Sequence, residues 1–193
     1  LKDEDITYAN GLSHNANSTA PFSISLKLDI YYPDNNDTNR PVYMFIHGGG
    51  FQGGTKAKPE IQDMAQYFAS RGWVFASIDY RTTEELGNIS GMTQEQVLAF
   101  YKGLAPEEWI NFSIENASSP SDVSTSVAMY MAQRDAKAAL RWLVANANTY
   151  NINPDFITVG GASAGVVSTV ALGISDQDDF RDEISVTDDA TLS

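Results

Sequence analysis

The stretch Gly161-Ala162-Ser163-Ala164-Gly165 decides how this sequence folds, because it separates two apolar segments. Before it, residues 156–160 have the β-branched and aromatic composition of a short buried strand. After it, residues 166–172 are compatible with a buried helix or with another strand. A strand, a sharp turn and a helix, with Gly two residues on either side of Ser, form a nucleophile elbow. We therefore predict Ser163 as a nucleophile and the Ala164 amide as a donor to developing negative charge.

A second glycine-rich segment, His47-Gly48-Gly49-Gly50, follows a continuous apolar run at residues 41–46. Such a run is typical of a parallel strand buried on both faces. Because glycine lets the backbone approach a bound oxyanion closely, we predict that the amides of Gly48 and Gly49 complete an oxyanion hole with Ala164. Each motif alone also fits a chance match or an ordinary loop. Together, in this order and each after an apolar strand, they indicate a serine hydrolase.

The remaining apolar runs predict the fold class. Residues 24–32 alternate as a strand, residues 73–78 form a further apolar run, and Pro59 opens a helix between them. A later helix is predicted with an inward face of Ala136, Ala139, Leu140, Leu143, Val144 and Ala147. Its solvated outer face is predicted to carry Arg134, Lys137 and Arg141. Alternating strands and helices predict an α/β fold, a mostly parallel sheet with helices on both faces and its active site at the strands' carboxyl ends.

These motifs resemble those of the α/β-hydrolase carboxylesterases, particularly the hormone-sensitive-lipase-like and related branches, which carry an HGGG loop and a GxSAG elbow. The resemblance extends to Asp79-Tyr80-Arg81 and to residues 135–143, and it spans roughly residues 24–172. It implies the α/β-hydrolase fold and a preference for small or medium carboxylic esters over long-chain lipids. The sequence departs from the family at Val166, where a second glycine is common, and in a long insertion at about residues 82–127.

The insertion has helix signals of its own. Thr93 and Gln96 have the spacing of a capping box, and residues 107–112 predict a second short helix. Since the insertion follows a strand, it could reach over the active site as a lid or pocket wall. Trp109 and Phe112 would then contact substrate, or they would pack the insertion onto the body of the domain.

The general base is missing from the expected position. In this fold the order is Ser, then acid, then His, but the two histidines, His14 and His47, both precede Ser163. His47 is expected to hold the shape of the glycine loop, and His14 is expected to be exposed in a polar N-terminal segment. The acidic residues between 176 and 189 follow the elbow too closely to supply the acid. We therefore expect residues 1–193 to be the N-terminal part of one domain, whose continuation, or a second polypeptide, supplies His and acid and covers the open edge of the elbow strand.

Composition limits the partners. A net charge of −13 argues against nucleic acid and anionic membranes, and no apolar stretch is long enough to span a membrane. The absence of cysteine excludes disulfides and thiolate metal sites, and the acidic residues after Ser175 lack the glycine of a calcium loop. Neither a metal nor an organic cofactor is expected. A first residue of Leu1 suggests a removed leader, which favours a secreted or periplasmic location.

The expected chemistry is two-step acyl transfer to water. Ser163 would attack an ester carbonyl, the predicted amides would stabilise the tetrahedral oxyanion, and water would hydrolyse the acyl-enzyme. An amidase or formamidase would use the same elbow and hole. A third hypothesis is a catalytically inactive binding protein of this fold, which the missing base keeps open.

Overall fold

The predicted alternation of strands and helices is confirmed in the computed structural model, which describes residues 1–176 and 179–180. The strands of this described part are β1 (Lys2–Ser13), β2 (Phe22–Tyr31), β3 (Arg40–Ile46), β4 (Val74–Ile78) and β5 (Ile152–Gly161). Its α-helices are α1 (Pro59–Ala69), α2 (Gln94–Tyr101), α3 (Glu107–Asn116), α4 (Pro120–Ala145) and α5 (Ala164–Ile174). The apolar segment after the elbow is therefore a helix.

The strands form one sheet in the order β1-β2-β4-β3-β5. β3 pairs in parallel with both β4 and β5, as the continuous apolar runs predict. β2 pairs antiparallel with both β1 and β4, so the sheet is mixed. The parallel strands end in register at Ile46, Ile78 and Gly161. The loops that follow them consequently leave from one edge of the sheet, where sites in α/β folds lie.

The polar N-terminal segment, for which the sequence predicts no strand, forms β1 at one edge of the sheet. Its second half reaches the core through the buried Tyr8, Ala9 and Leu12, and Ile6 packs against the core while partly exposed. The first half contributes mainly polar side chains and is held by the backbone ladder to β2. Because a backbone ladder is indifferent to side-chain polarity, composition alone does not reveal such a strand.

His14 is buried, so the prediction that it is exposed is wrong. Its ring stacks on Phe100 of α2 with centroids 4.0 Å apart, and its Nδ1 donates a hydrogen bond to the Ser18 carbonyl oxygen at 3.0 Å. The physical reason is the insertion, whose helix α2 packs over the end of β1. The residues around His14 in the sequence carry no sign of that distant contact.

Helices cover both faces of the sheet, as predicted. On one face α1 packs Ile61 and Ala65 against Phe75 of β4. On the other face α4 and α5 pack on the larger core. The insertion helix α2 begins at the predicted capping box, in which Thr93 accepts from the Gln96 amide and Gln96 accepts from the Thr93 amide.

Two predictions for α4 are wrong. Arg134, predicted on the solvated face, is buried, and its Nε donates to the Phe180 carbonyl oxygen at 3.2 Å. Val144, predicted to face inward, is 46% exposed because Leu143 occupies the buried position of that turn. α4 contacts the sheet, α3 and α5 at once, so its buried surface is wider than one amphipathic stripe. It begins at Pro120, so residues 120–127 of the insertion range form its first two turns.

A fully buried ion pair joins β4 to α4. Arg81, just beyond β4, donates through Nη2 to Asp135 Oδ1 at 2.7 Å and through Nε to Oδ2 at 3.0 Å, and its own backbone amide donates to Oδ2 at 2.8 Å. Its Nη1 donates to the Leu12 carbonyl oxygen of β1 at 3.1 Å. A Cβ on Gly11 would lie only 2.8 Å from Arg81 Cζ, so this glycine makes room for the guanidinium.

Asp135→Asn is expected to lower the free energy of unfolding of the full-length protein by about 3–5 kcal/mol, because the Arg81 charge stays buried without its counterion. Urea unfolding followed by circular dichroism measures the change. Asp122→Asn, at an exposed position in the first turn of the same helix, is the matched control and should cost under about 1 kcal/mol. Equal losses in the two variants would contradict a structural role of the pair.

Candidate active site

The predicted nucleophile lies in the turn between β5 and α5. β5 ends at Gly161 and α5 begins at Ala164, so only two residues connect them. Ser163 adopts φ 50° and ψ −115°, a conformation that is sparsely populated for a residue with a side chain. Its side chain is exposed at the end of the sheet. This strained strand-to-helix turn is the geometry that presents a reactive hydroxyl.

The two glycines of the elbow are required by close backbone approach. A Cβ on Gly165 would overlap the carbonyl oxygen of Ile46, and a Cβ on Gly161 would lie 2.7 Å from the same oxygen. The Ala162 amide donates to that oxygen at 3.2 Å. A larger residue at either position would therefore collide with β3, and the end of β3 is held directly against the elbow.

The glycine loop lies beside the serine. A Cβ on Gly48 would lie 3.1 Å from Ser163 Cβ and 2.7 Å from the Ala162 carbonyl oxygen. Gly49 adopts φ 146°, and a Cβ there would overlap the Gly53 carbonyl oxygen. Two predicted site regions, more than a hundred residues apart in the sequence, thus meet at the carboxyl ends of β3 and β5. The assignment of three amides as an oxyanion hole remains a prediction.

His47 holds the loop from beneath. It is buried, its ring stacks on Tyr80 with centroids 4.4 Å apart, and its Nδ1 donates to the Gly48 carbonyl oxygen at 2.9 Å. In a trans peptide the Gly49 N–H points away from the Gly48 carbonyl, so this bond also fixes the direction of the Gly49 amide. Burial lowers the pKa of His47, which favours the neutral ring. These contacts agree with the predicted role of holding loop shape.

Neither histidine serves Ser163 as a base in the described part of the chain. The His47 ring is engaged by the loop itself, with Nδ1 on the Gly48 carbonyl oxygen. His14 follows β1, which is separated from β5 by three strands. The structure therefore brings nucleophile and glycine loop together without a general base.

One support of the loop and one charged neighbour were not found by sequence reasoning. The Tyr80 hydroxyl donates to the His47 carbonyl oxygen at 2.9 Å. Asp79 Oδ1 lies 3.6 Å from His47 Nε2, which carries no hydrogen when the neutral ring donates through Nδ1. Burial raises the pKa of both side chains, that of Tyr80 to about 12. The sequence motif that could have pointed to these residues is Asp79-Tyr80-Arg81, which carries part of the family resemblance. The motif by itself does not assign a role to any of the three residues.

The insertion contributes aromatic side chains to a cavity of about 590 Å³ lined by Trp109, Phe112 and Tyr130 among others. Trp109 Nε1 donates to the Ser126 carbonyl oxygen at 2.9 Å, which packs α3 onto α4. Phe112 is 55% exposed. Trp109 thus has the packing role, whereas substrate contact by Phe112 remains a prediction.

The described residues contain no group of three or more His, Asp or Glu that could hold a metal ion. In residues 1–176 and 179–180 no helix has the length and apolar character needed to cross a membrane. Most of the acidic stretch 176–189 lies outside the described residues.

Comparison with solved structures identifies the fold class as α/β-hydrolase. Esterase 2 of Thermogutta terrifontis, in the structure phosphorylated by paraoxon, superposes with a TM-score of 0.55 at 22% identity, over 88% of this chain and 46% of that one. The propionate-bound structure of the same esterase gives a TM-score of 0.52 at 22% identity, over 86% of this chain and 47% of that one.

The BD-FAE family profile matches residues 28–90 and 87–191, and the chain belongs to the BD-FAE family. Para-nitrobenzyl esterase of Bacillus subtilis (strain 168) is 26% identical over 147 residues, 76% of this chain and 24% of that protein. Phenmedipham hydrolase of Pseudarthrobacter oxydans is 29% identical over 148 residues, 76% of this chain and 22% of that protein. The chain thus spans about a quarter of the length of these curated relatives and under half of the solved esterase.

Gly165→Ala is expected to abolish soluble expression or to reduce activity of the full-length protein by at least about 100-fold, because the methyl group forces the end of β3 away from the elbow. Gly173→Ala is the matched control on the same helix, since a Cβ there meets nothing within 4 Å. It should raise the free energy of unfolding by up to about 1 kcal/mol. Thermal melts and ester-hydrolysis assays measure the stability and activity of both variants. A Gly165→Ala variant with the stability and activity of the wild type would refute the close approach.

Protonation of His47 should lower the stability of the folded protein as the pH is lowered. Because burial lowers the pKa of this ring below its usual 6.5, the folded protein binds fewer protons than the unfolded chain, and the stabilisation by the neutral ring is lost as pH falls from 6.5 through the folded pKa. Urea unfolding at pH 7.5, 6.5 and 5.5 should show a stability advantage of wild type over His47→Asn that shrinks with acidity. A constant difference would contradict the neutral, buried state of His47.

Proposed function

We propose that this chain supplies the nucleophile and oxyanion hole of a serine carboxylic-ester hydrolase. The observation that carries the proposal is the contact between strained Ser163 and Gly48 at the carboxyl edge of the parallel strands. A nucleophile and two glycine amides at one point of the sheet serve acyl transfer, because the tetrahedral intermediate needs donors next to the attacked carbonyl. Membership in the BD-FAE family supports the same chemistry.

The proposed mechanism has two steps. Ser163 Oγ attacks the ester carbonyl carbon and the alcohol leaves, which gives an acyl-enzyme; water then attacks the acyl group, releases the acid and restores the serine. The amides of Gly48, Gly49 and Ala164 stabilise the oxyanion in both steps. Small to medium esters are the proposed substrates. Relatives named esterases, and solved states of the Thermogutta esterase with propionate and butyrate, support short acyl groups as first probes.

We propose that the general base and acid belong to a polypeptide segment outside these residues. Support comes from His14 and His47, which are both buried and engaged elsewhere. It also comes from β5, an edge strand of the described sheet, and from α5, whose Ile174 is 82% exposed. Three valines of α5 and Phe156 of β5 are exposed beside it: Val166, Val167, Val170 and Phe156. An open apolar edge of this kind is normally covered.

Location and substrate bond remain proposals. The net charge of −13 supports a secreted or periplasmic setting. The elbow and the oxyanion hole can serve esters and amides alike. Comparing the hydrolysis rates of an ester and an amide that carry the same acyl group therefore distinguishes a carboxylesterase from an amidase or formamidase. An ester is expected to react faster because its alcohol is the better leaving group.

The test is labelling of the full-length protein with a fluorophosphonate, followed by intact mass of every polypeptide under denaturing conditions. An adduct is expected on Ser163, and Ser163→Ala should lose the adduct and at least about 10⁴-fold in kcat while keeping its melting temperature. Ser25→Ala, an exposed serine on β2, is the control and should label normally.

The mass spectrum also tests the source of the base. A labelled chain beside a second unlabelled one would support a two-chain enzyme, and a labelled longer chain would support a continuation. Folded protein that takes no label would overturn the proposal and favour an inactive binding protein.

A further inference from the structure

The oxyanion loop, defined here as residues 47–58, carries a buried lysine, Lys56, at the end opposite to the Gly48–Gly50 triplet. Lys56 lies shortly before α1, and its side chain points back into the domain and is almost fully buried. A lysine is rarely buried unless its ammonium group is paired. Its partners therefore show what holds this part of the loop.

The Lys56 ammonium binds two carboxylates. Its Nζ lies 2.8 Å from Asp29 Oδ1 on β2, which is fully buried, and 2.8 Å from Asp5 Oδ1 on β1. Burial alone would lower the pKa of Lys56, but hydrogen bonds to Asp29 and Asp5 outweigh it and raise the pKa, so the group stays charged. Asp5 adopts φ 54° at an irregularity of β1, and its amide also donates to Asp29 Oδ1 at 2.9 Å.

The backbone of Lys56 is held as firmly as its side chain. Its amide donates to Asp79 Oδ1 at 2.6 Å, and its carbonyl oxygen accepts from Ser77 Oγ at 3.0 Å. Ser77 belongs to β4 and Asp79 follows it directly. Every polar group of this residue is thus bonded to the sheet, through side chains of three different strand regions.

Gly54 connects this anchor to the other end of the loop. A Cβ on Gly54, two residues before Lys56, would lie 2.5 Å from His47 Nδ1 and 2.7 Å from the Gly48 carbonyl oxygen, so the loop backbone here packs directly against both groups. His47 in turn donates to the Gly48 carbonyl oxygen and thereby orients the Gly49 amide. A displacement of Lys56 would consequently move the Gly54 backbone against His47 and tilt the peptide that is predicted to bind the oxyanion.

We propose that Lys56 is a positioning residue for the oxyanion hole, acting through the Gly54 backbone and His47 and not by contact with substrate. The inference rests on the proposed ester hydrolase function and deepens it. It predicts that loosening Lys56 weakens binding of the tetrahedral transition state while ground-state binding is kept, because only the former depends on the direction of the amides.

Ser77→Ala loosens the anchor without changing any charge. In full-length protein it should lower kcat about 3- to 10-fold with KM unchanged, a fraction of the loss expected from a missing donor. The affinity for a trifluoromethyl ketone, which forms a tetrahedral adduct, should fall by the same factor, and inhibition by the product acid should not change. Ser13→Ala is the matched control, because Ser13 is also fully buried and donates to a backbone carbonyl, that of Glu85 at 3.2 Å.

Lys56→Met tests the role of the lysine side chain. Combining it with Asp29→Leu separates a positioning role from neutralisation of the Asp29 charge. The single variant leaves the Asp29 charge buried without a counterion and is expected to fold poorly. Lys56→Met with Asp29→Leu removes both charges and should regain the melting temperature but not kcat or ketone affinity. A double variant with wild-type kcat would overturn the proposal, since Lys56 would then only neutralise Asp29.

The outcomes distinguish this inference from the function on which it rests. Wild-type protein that neither labels nor hydrolyses esters would defeat the proposed function itself. Active wild-type protein together with a Ser77→Ala variant indistinguishable from Ser13→Ala in kcat and ketone affinity would defeat the positioning role alone. The comparison of the two serine variants decides the matter even where the lysine variants do not fold.

Discussion

The buried pair of Arg81 and Asp135 is the interaction on which the rest of the structure depends. It ties the segment after β4 to the middle of α4 and, through the Leu12 carbonyl, to β1. Removing two charges from water is unfavourable, so the pair persists only because nearly every donor and acceptor around it is used. α4 in turn supports α5, where Gln133 Nε2 donates to Ser168 Oγ at 3.3 Å. The helix that begins at the nucleophile is therefore supported by α4, which the ion pair holds to the segment after β4.

The proposed oxyanion hole is made of backbone amides, and this explains its demands on the scaffold. Amide donors cannot adjust their direction as side chains do, so their positions follow from sheet register and from the peptides next to them. The three parallel strands end in register, which brings the glycine loop to the elbow. Glycines at 48, 161 and 165 allow contacts that a Cβ would prevent. Buried side chains beneath the loop, among them His47 and Tyr80, then hold what glycine leaves free to move.

The fold is asymmetric in how it is covered. The β1 side is covered by the insertion, whose helix α2 packs on His14. The β5 side exposes apolar residues of β5 and α5 in the described structure. The chain matches less than half the length of the solved esterase. Nucleophile and glycine loop therefore form one physical unit within this chain, and the base and acid are proposed to lie outside it.

The sequence by itself determined the parallel strands, most helices and the meeting of Ser163 with the glycine loop, because these follow from apolar runs, caps and glycine spacing. Tertiary structure decided the rest. His14 and Arg134 look like surface residues in the sequence, yet both are buried by elements distant along the chain. Lys56 has the appearance of an ordinary loop lysine, and only folding brings Asp5 and Asp29 to its ammonium group. Local patterns report the period of one element, whereas burial and charge pairing depend on which elements become neighbours.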